Sequence, residues 1–209
     1  NLYEALGINP PVMATMPHIL GPDGKKKLSK RDGAKDVLDY IREGFLPEAL
    51  LNFIASLGWN DGTEQEIFSL VNLTELFSLD RVQRSGARFD EQRLLWMNGA
   101  HIRELSLDDL YSRSATYWGD EAKGATDEYK KQVLSLVQER LKFLAEIPAL
   151  TNFFFVDLPI NPALISDNKQ LSKFSHDELR EYLEQAKASL EQSDFTSEDL
   201  QNRLNELLQ

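Results

Sequence analysis

The sequence has 209 residues, with 34 acidic and 23 basic side chains, a net charge of −11 and no cysteine. The lack of cysteine excludes a disulfide framework and a thiolate zinc site, and His18, His101 and His176 are too scattered for metal-ligand spacing, so we expect no metal site. No apolar stretch approaches the roughly 20 residues of a membrane-spanning helix, so we expect a cytoplasmic protein with no membrane partner.

The negative charge is unevenly distributed along the chain. Acidic residues exceed basic ones by two in residues 1–103 and by nine in residues 104–209. The first half holds two basic clusters: Lys25, Lys26, Lys27, Lys30, Arg31 and Lys35, and then Arg81, Arg84, Arg88 and Arg93. Local positive surfaces can coexist with a negative whole, so the net charge does not exclude a nucleic-acid partner.

The first 34 residues are predicted to contain little regular structure. Residues 2–7 are typical of the last turn of a helix that is closed by a glycine. Residues 8–34 are rich in Pro, Gly and Lys, which predicts a loop with at most one or two small strands.

A helical hairpin is predicted next. One helix is expected from Asp32 to Glu43, where Gly44 closes it. Pro47 then occupies the first position of a second helix that runs to Leu57.

The rest of the chain is predicted to be helical, because capping residues precede apolar residues at helical spacing. The predicted caps are Asp90, Thr126, Ser175 with Glu178, and Thr196 with Asp199. The helix after Thr126 is expected to be long and to carry Leu141 and Leu144. The predicted fold class is therefore mostly α, a helical body behind a basic loop.

Residues 24–33 concentrate five basic side chains around one hydroxyl, for which a solvated basic turn is the plain alternative. Their centre, Lys27-Leu28-Ser29-Lys30-Arg31, resembles the Lys-Met-Ser-Lys-Ser signature of class I aminoacyl-tRNA synthetases. The flanking residues 19–24 and 32–34 resemble the form found in glutamyl-tRNA synthetases. Residues 44–59 and 94–103 resemble the segment that follows this loop in the bacterial enzymes.

The resemblance implies that residues 27–31 bind ATP, with Lys27 and Lys30 as the catalytic residues and Leu28, Ser29 and Arg31 completing the set. Attack of a carboxylate on the α-phosphorus of ATP places charge on the phosphoryl oxygens and on the departing pyrophosphate. Cations positioned there stabilise the transition state more than the ground state.

The resemblance also divides the chain into two regions. Residues 1–106 would hold the end of the catalytic domain, the lysine loop and a stem-contact domain, and residues 107–209 a helical anticodon-binding region that is incomplete. The implied tRNA-phosphate ligands are Arg81, Arg84, Arg88 and Arg93. Arg140 and Lys142, expected on one helix, could bond base edges, although a solvated helix face is the plain alternative. Phe153–Phe155 are expected to be core.

The implied activity is that of the family, in which ATP and L-glutamate, with Mg²⁺, give glutamyl-adenylate and the glutamyl group passes to tRNA(Glu). The parent enzyme is expected to be a monomer. The family's Rossmann-type domain with its glutamate pocket has no counterpart in this sequence, so the chain alone is expected to be inactive. Alternatives are a non-catalytic helical RNA-binding module and a glutaminyl-tRNA synthetase. The latter is disfavoured because that type usually carries β-barrels after the stem-contact segment.

Overall fold

The computed structural model describes residues 2–11, 13, 15–29, 35–157, 159 and 161–207. It contains two compact units, Asn1–Asp157 and Leu158–Gln209. Within the described residues the regular structure is helical, and extended pairing is limited to isolated bridges. The predicted mostly-α fold class is therefore confirmed. No helix in the described part of the chain is long and apolar enough to cross a membrane.

The first unit contains eight α-helices among its described residues. They are α1 (Leu2–Ala5), α2 (Val37–Glu43), α3 (Pro47–Ser56), α4 (Leu70–Leu76), α5 (Glu91–Glu104), α6 (Leu107–Arg113), α7 (Asp127–Val137) and α8 (Ile147–Thr151). The second unit contains α9 (Ala163–Ser166), α10 (His176–Leu190) and α11 (Ser197–Leu207). Short 3₁₀ turns join several of them, including Gln138–Arg140 after α7.

Several predicted helix ends are confirmed. Gly7 follows α1 with a left-handed φ of 65°, and Pro47 occupies the first position of α3. The Asp90 carboxylate accepts hydrogen bonds from the first turn of α5, and Ser175 and Glu178 form the expected capping box at α10.

The predicted start of α2 at Asp32 is wrong. Asp32 itself lies outside the described residues, but Lys35 and Asp36 are not helical and α2 begins at Val37. Asp36 is the cap, because its carboxylate accepts from the Leu38 amide at 3.0 Å. Asp36 lies directly before the apolar residues of α2, four residues after Asp32, and this position allows it to cap the helix.

The predicted extension of α7 is also wrong. The helix ends at Val137, and Leu141 has an extended backbone. The side-chain amide of Gln138 donates through Nε2 to the backbone carbonyls of Ile102 and Leu105, at 3.0 and 2.9 Å. These hydrogen bonds hold the 3₁₀ turn against the end of α5. Leu141 is nevertheless buried, so its side chain contributes to the core although the residue is not part of a helix.

The capping box predicted at α11 is half formed. Thr196 Oγ1 accepts from the Asp199 amide at 3.2 Å, but the Asp199 carboxylate binds Ser193, Asp194 and Arg203. Arg203 also donates to the Ser189 carbonyl, which ties α11 to α10. In this second unit no described residue is buried.

The largest core of the first unit lies across position 106. Leu46, Ala49 and Ile102 pack with residues from α6, α7 and α8, among them Leu110 and Leu134. A second core lies between α2, α3 and α5 and includes Phe53. The functional division at residues 106 and 107 stays a prediction, and it does not coincide with a gap in the packing.

A buried polar network joins α3 to α5. Asn52 Oδ1 accepts from the Phe68 amide at 2.9 Å and lies 3.0 Å from His101 Nε2, while Asn52 Nδ2 donates to the Glu66 carbonyl. Because Asn52 presents its acceptor to the imidazole, His101 Nε2 carries the proton and donates. The network fixes the loop that carries Glu66.

We expect acidification to weaken the fold through His101, which is 7% exposed. Burial lowers the pKa of its imidazole, against the weaker opposite effect of the Glu104 and Glu48 charges. As the pH falls below about 6.5, the unfolded chain binds a proton that the native imidazole does not, so the free energy of unfolding decreases. Urea denaturation at several pH values should show a smaller decrease for His101→Gln, which keeps a donor for Asn52. Equal pH profiles for wild type and His101→Gln would contradict the assignment to His101.

Candidate functional site

The lysine segment lies on a short β-hairpin. Leu20 and Lys27 form an antiparallel bridge, with hydrogen bonds from the Gly21 amide to the Lys26 carbonyl and from the Leu28 amide to the Ile19 carbonyl, both 2.8 Å. We call residues 19–28 the lysine hairpin. Its pairing consists of isolated bridges and not of strands, which agrees with the prediction of a loop with at most one or two small strands.

The lysine hairpin is attached to the segment that leads into α5. The Leu20 amide donates to the Ala87 carbonyl at 2.8 Å, and the Phe89 amide donates to the Leu20 carbonyl at 2.9 Å. Gly86 allows this approach, because a Cβ atom there would lie 2.6 Å from the His18 carbonyl oxygen. Any side chain at position 86 would therefore displace the hairpin from its support.

The tip of the lysine hairpin is a turn closed by Asp23. The Asp23 carboxylate accepts hydrogen bonds from the amides of Lys25 and Lys26, at 2.9 and 3.1 Å. These bonds lower the pKa of Asp23. Gly24 has a φ of 67°, a backbone conformation that disfavours other residues. The Asp23 carboxylate therefore organises the turn through the backbone of Lys25 and Lys26.

The expected ATP-binding residues lie only partly within the described chain. The side chain of Lys27 is exposed, and Leu28 and Ser29 are half-buried at the base of the lysine hairpin. Lys30 and Arg31 lie outside the described residues. Three consecutive exposed lysines, 25 to 27, therefore lie on a hairpin that is hydrogen-bonded to residues 87–89. The roles assigned to residues 27–31 stay predictions.

The four arginines expected to meet tRNA phosphates do not form one free cluster. Arg88 pairs with Asp90 at 3.1 Å, Arg93 pairs with Glu66 at 3.1 Å, and Arg81 donates to the Asp61 carbonyl. The side chain of Arg84 is exposed and has no hydrogen bond or ion pair among the described residues. Exposed ion pairs contribute about 1 kcal/mol or less, so the paired arginines can still exchange partners with phosphates.

The expectation that Arg140 and Lys142 share one helix is wrong. Arg140 ends the 3₁₀ turn and Lys142 lies in the following loop. Both nevertheless line one groove of about 230 Å³, which separates residues 139–142 from α5. We call it the basic groove; its lining residues are Gln92, Leu95, Trp96, Gly99, Arg103, Glu139, Arg140, Leu141 and Lys142.

The basic groove contains two residues that sequence reasoning missed, Trp96 and Arg103. The signal was available, because both lie on α5 with Gly99 between them at helical spacing. What the sequence did not show is that residues 139–142 lie against this face.

The aromatic run Phe153–Phe155 agrees in part with the expected core role. Phe154 packs against the main core, and the Phe155 ring makes edge contacts with Trp118 and Tyr129. Phe153 is 49% exposed, although its ring lies 4.3 Å from that of Phe154.

Comparison with known families matches both parts of the chain. A family model described as the catalytic domain of class I tRNA synthetases (E and Q) matches residues 1–96. A second model, described as an anticodon binding domain, matches residues 107–209. The chain thus matches a catalytic-domain model of the class I tRNA synthetases over its first part and an anticodon-binding model over the rest.

Curated relatives narrow the assignment. The chain is 41% identical over 174 residues to a glutamate–tRNA ligase of Dehalococcoides mccartyi, covering 80% of this chain and 36% of that protein. It is 37% identical over 206 residues to the glutamate–tRNA ligase of Methylacidiphilum infernorum, covering 96% of this chain and 45% of that protein. The chain therefore belongs to the class I tRNA synthetases, in the family of the glutamate–tRNA ligases.

A solved structure agrees. The crystal structure of a glutamate tRNA ligase from Elizabethkingia meningosepticum in complex with its amino acid has a TM-score of 0.78 and 28% sequence identity to this chain. The match covers 99% of this chain and 43% of that one. The chain thus spans less than half the length of these relatives.

Proposed function

We propose that this chain supplies the ATP-phosphate loop and a tRNA-binding surface to a ligase that joins L-glutamate to tRNA(Glu). The observation that carries the proposal is the lysine hairpin, whose Lys27 is exposed and whose base is held by two backbone hydrogen bonds to residues 87–89. The matches of residues 1–96 to a synthetase catalytic domain and of residues 107–209 to an anticodon binding domain support it.

In this proposal the lysines act on ATP. Glutamate attacks the α-phosphorus, pyrophosphate leaves, and the ammonium groups of Lys27 and Lys30 stabilise the charge that develops on the phosphoryl oxygens. Leu28, Ser29 and Arg31 complete the ATP-binding segment. The lysine hairpin is well suited to this role because the acidic residue within it, Asp23, accepts hydrogen bonds from backbone amides.

Mg²⁺ would enter with ATP, because this ion commonly binds through substrate phosphates and one or two carboxylates. The described residues contain no group of three or more carboxylate or imidazole side chains that could hold a metal ion. We therefore assign no metal ligand to this chain. A monomeric ligase in the cytoplasm stays a prediction.

The proposed tRNA contacts lie on two surfaces. Arg81, Arg84, Arg88 and Arg93 would bind phosphates, which position RNA without reading its sequence. Arg140 and Lys142 would bond base edges within the basic groove. The glutaminyl alternative receives no support from relatives that are named glutamate–tRNA ligases. A purely non-catalytic module would leave the match to a catalytic domain without a role.

The proposal is tested by charging assays with the full-length ligase. We expect ATP-dependent attachment of glutamate to tRNA(Glu), and Arg84→Gln should weaken binding of tRNA(Glu) and tRNA(Gln) alike. The same substitution should also reduce the slope of the logarithm of the tRNA association constant against the logarithm of the salt concentration by about 0.9, because one phosphate contact is lost. Arg140→Gln should instead change the preference between the two tRNAs, with little effect on the slope.

Two results would count against the proposal. Failure of the wild-type enzyme to charge tRNA(Glu) would remove the function itself. If Arg84→Gln and Arg140→Gln were indistinguishable in specificity and in salt slope, the division into positioning and base-contacting residues would be wrong.

A further inference from the structure

Three chain segments lie side by side at the lysine hairpin, with Leu20 in the middle one. Leu20 is bridged to Lys27 in antiparallel pairing and to Arg88 in parallel pairing. Residues that lie directly opposite each other in neighbouring extended segments carry their side chains on the same face. The side chains of Lys27, Leu20 and Arg88 therefore share one face, with the two cations on either side of the leucine.

Backbone hydrogen bonds determine this arrangement. Two bonds of 2.8 Å flank the pair of Leu20 and Lys27, and the Leu20 backbone bonds the residues on both sides of Arg88, at 2.8 and 2.9 Å. A slip of one residue in either pairing would turn the cation to the opposite face. The shared face is thus a property of the backbone and does not depend on the rotamers of the long side chains.

The opposite face of these segments is turned toward the protein. Ile19, Leu28 and Phe89, which alternate with the three paired residues, line a cavity of about 540 Å³ together with residues of α2 and α3. The Phe89 ring also makes an edge contact with the buried Phe53 ring, with centroids 5.1 Å apart. The face with the two cations is therefore the outer one, which agrees with the exposure of both cations.

The two cations are close enough to bind one anionic group. Two neighbouring spacings of about 4.5–4.8 Å place the Cα atoms of Lys27 and Arg88 roughly 9–10 Å apart. The Arg88 side chain extends toward the tip of the lysine hairpin, because a Cβ atom at Gly24 would lie 3.8 Å from Arg88 Cδ. An anion placed over Leu20 would thus lie between an ammonium group and a guanidinium group.

The ion pair of Arg88 does not prevent this role. Arg88 pairs with Asp90 at 3.1 Å, and both side chains are exposed, at 57% and 37%. Exposed pairs of this kind contribute little to stability, so a more highly charged anion can replace the carboxylate. Asp90 also caps α5, because its other oxygen accepts from the amides of Gln92 and Arg93. Arg88 can therefore leave Asp90 without uncapping the helix.

We propose that Arg88 is a ligand of the ATP polyphosphate and that, with Lys27, it holds the two phosphates that leave as pyrophosphate. In that step a carboxylate oxygen of glutamate bonds to the α-phosphorus, the bond to the bridging oxygen breaks, and pyrophosphate leaves with the electron pair. The planar guanidinium suits this product, since it can donate two parallel hydrogen bonds to phosphate oxygens.

This inference rests on the proposed function and changes one of its details, because it moves Arg88 from the tRNA surface to the nucleotide site. Among the described residues, Arg88 is the one arginine of its cluster that is bridged to the lysine hairpin. Arg81, Arg84 and Arg93 keep their proposed role.

The test is calorimetric titration of the full-length ligase with magnesium pyrophosphate in the absence of tRNA. Arg88→Gln should weaken binding by at least about fivefold, because a charge-assisted hydrogen bond is lost. Arg88→Lys should have an intermediate affinity, since it keeps the charge but not the planar fork. In charging assays the KM for ATP should rise in the same order, while the affinity of Arg88→Gln for tRNA(Glu) should stay at the wild-type value.

Asp90→Asn should change the pyrophosphate affinity in the opposite direction. Asparagine can still cap α5, but it no longer competes for Arg88, so pyrophosphate should bind about two- to fivefold more tightly, as expected for loss of an exposed ion pair. Arg42→Gln is the matched control, because Arg42 pairs with Asp39 at 2.7 Å and is 71% exposed on α2. This variant should bind pyrophosphate like the wild type.

The outcomes separate this inference from the proposed function. A wild-type ligase that charges tRNA(Glu) but binds no pyrophosphate, or that binds it as well after Arg88→Gln, would overturn the inference alone. Weaker tRNA binding with unchanged pyrophosphate affinity would also overturn it and return Arg88 to the tRNA surface. If Arg88→Gln failed to fold, the absence of a gain in Asp90→Asn would overturn it. Absence of glutamate charging by the wild type would reject the ligase itself.

Discussion

Lys30→Ala in the full-length ligase is expected to lower the rate of glutamyl-adenylate formation by about 10² to 10³, equivalent to about 3 to 4 kcal/mol of lost transition-state stabilisation. The affinity for ATP should change much less, because the lysine charge is needed chiefly while the α-phosphoryl group is in transit. ATP–pyrophosphate exchange measured over a range of ATP concentrations separates the two effects.

Lys25→Ala is the matched control, since it removes the same charge five residues earlier. Lys25 lies at the tip of the lysine hairpin, where its amide binds Asp23 and its side chain is exposed. We expect this variant to lose only a small part of the rate. Equal, mild losses for both variants would show that the segment is a basic surface and not a catalytic element.

Gly44→Ala is expected to destabilise the first unit by roughly 2–5 kcal/mol, through two causes. Gly44 ends α2 with a φ of 81°, where a side chain costs about 1–2 kcal/mol. A Cβ atom there would also lie 2.6 Å from Leu144 Cβ and 2.9 Å from the Leu144 amide nitrogen, and overpacking of this kind costs about 1–3 kcal/mol. Urea denaturation should show a lower midpoint with an unchanged slope.

Gly124→Ala controls for the loss of glycine as such. Gly124 has no left-handed φ, and a Cβ atom there would meet no heavy atom within 4 Å. The stability of the Gly124→Ala variant should equal that of the wild type or exceed it slightly, because alanine reduces the conformational entropy of the unfolded chain. A similar loss in both variants would mean that the contact of Gly44 with Leu144 is unimportant.

The sequence predicted the starts of the helices better than the contacts between residues that are distant in the chain. Pro47, Asp90 and Ser175 act within a few residues, so their patterns identified helix starts correctly. The end of α7 was missed because it depends on Gln138. The side-chain amide of this residue donates to the backbone carbonyls of Ile102 and Leu105, which lie more than 30 residues earlier in the chain. No local pattern contains that contact.

In the candidate site, too, consecutive residues were predicted better than residues that packing brings together. The lysine segment was found because its residues are consecutive and resemble a known signature. The basic groove was found only in part, since Arg140 and Lys142 are distant in sequence from Trp96 and Arg103, and packing around Gly99 brings them together. The ion pairs of Arg88 and Arg93 were likewise not evident from a count of charges.

The attachment of the lysine hairpin to residues 87–89 has a geometric consequence. These residues lead directly into α5, which carries one wall of the basic groove along most of its length. One helix, rising about 1.5 Å per residue, therefore sets both the spacing and the angular phase between the two surfaces. Insertion of a single residue within α5 would rotate the groove by about 100° relative to the lysine hairpin, so the length of this helix is constrained even where its exposed side chains are not.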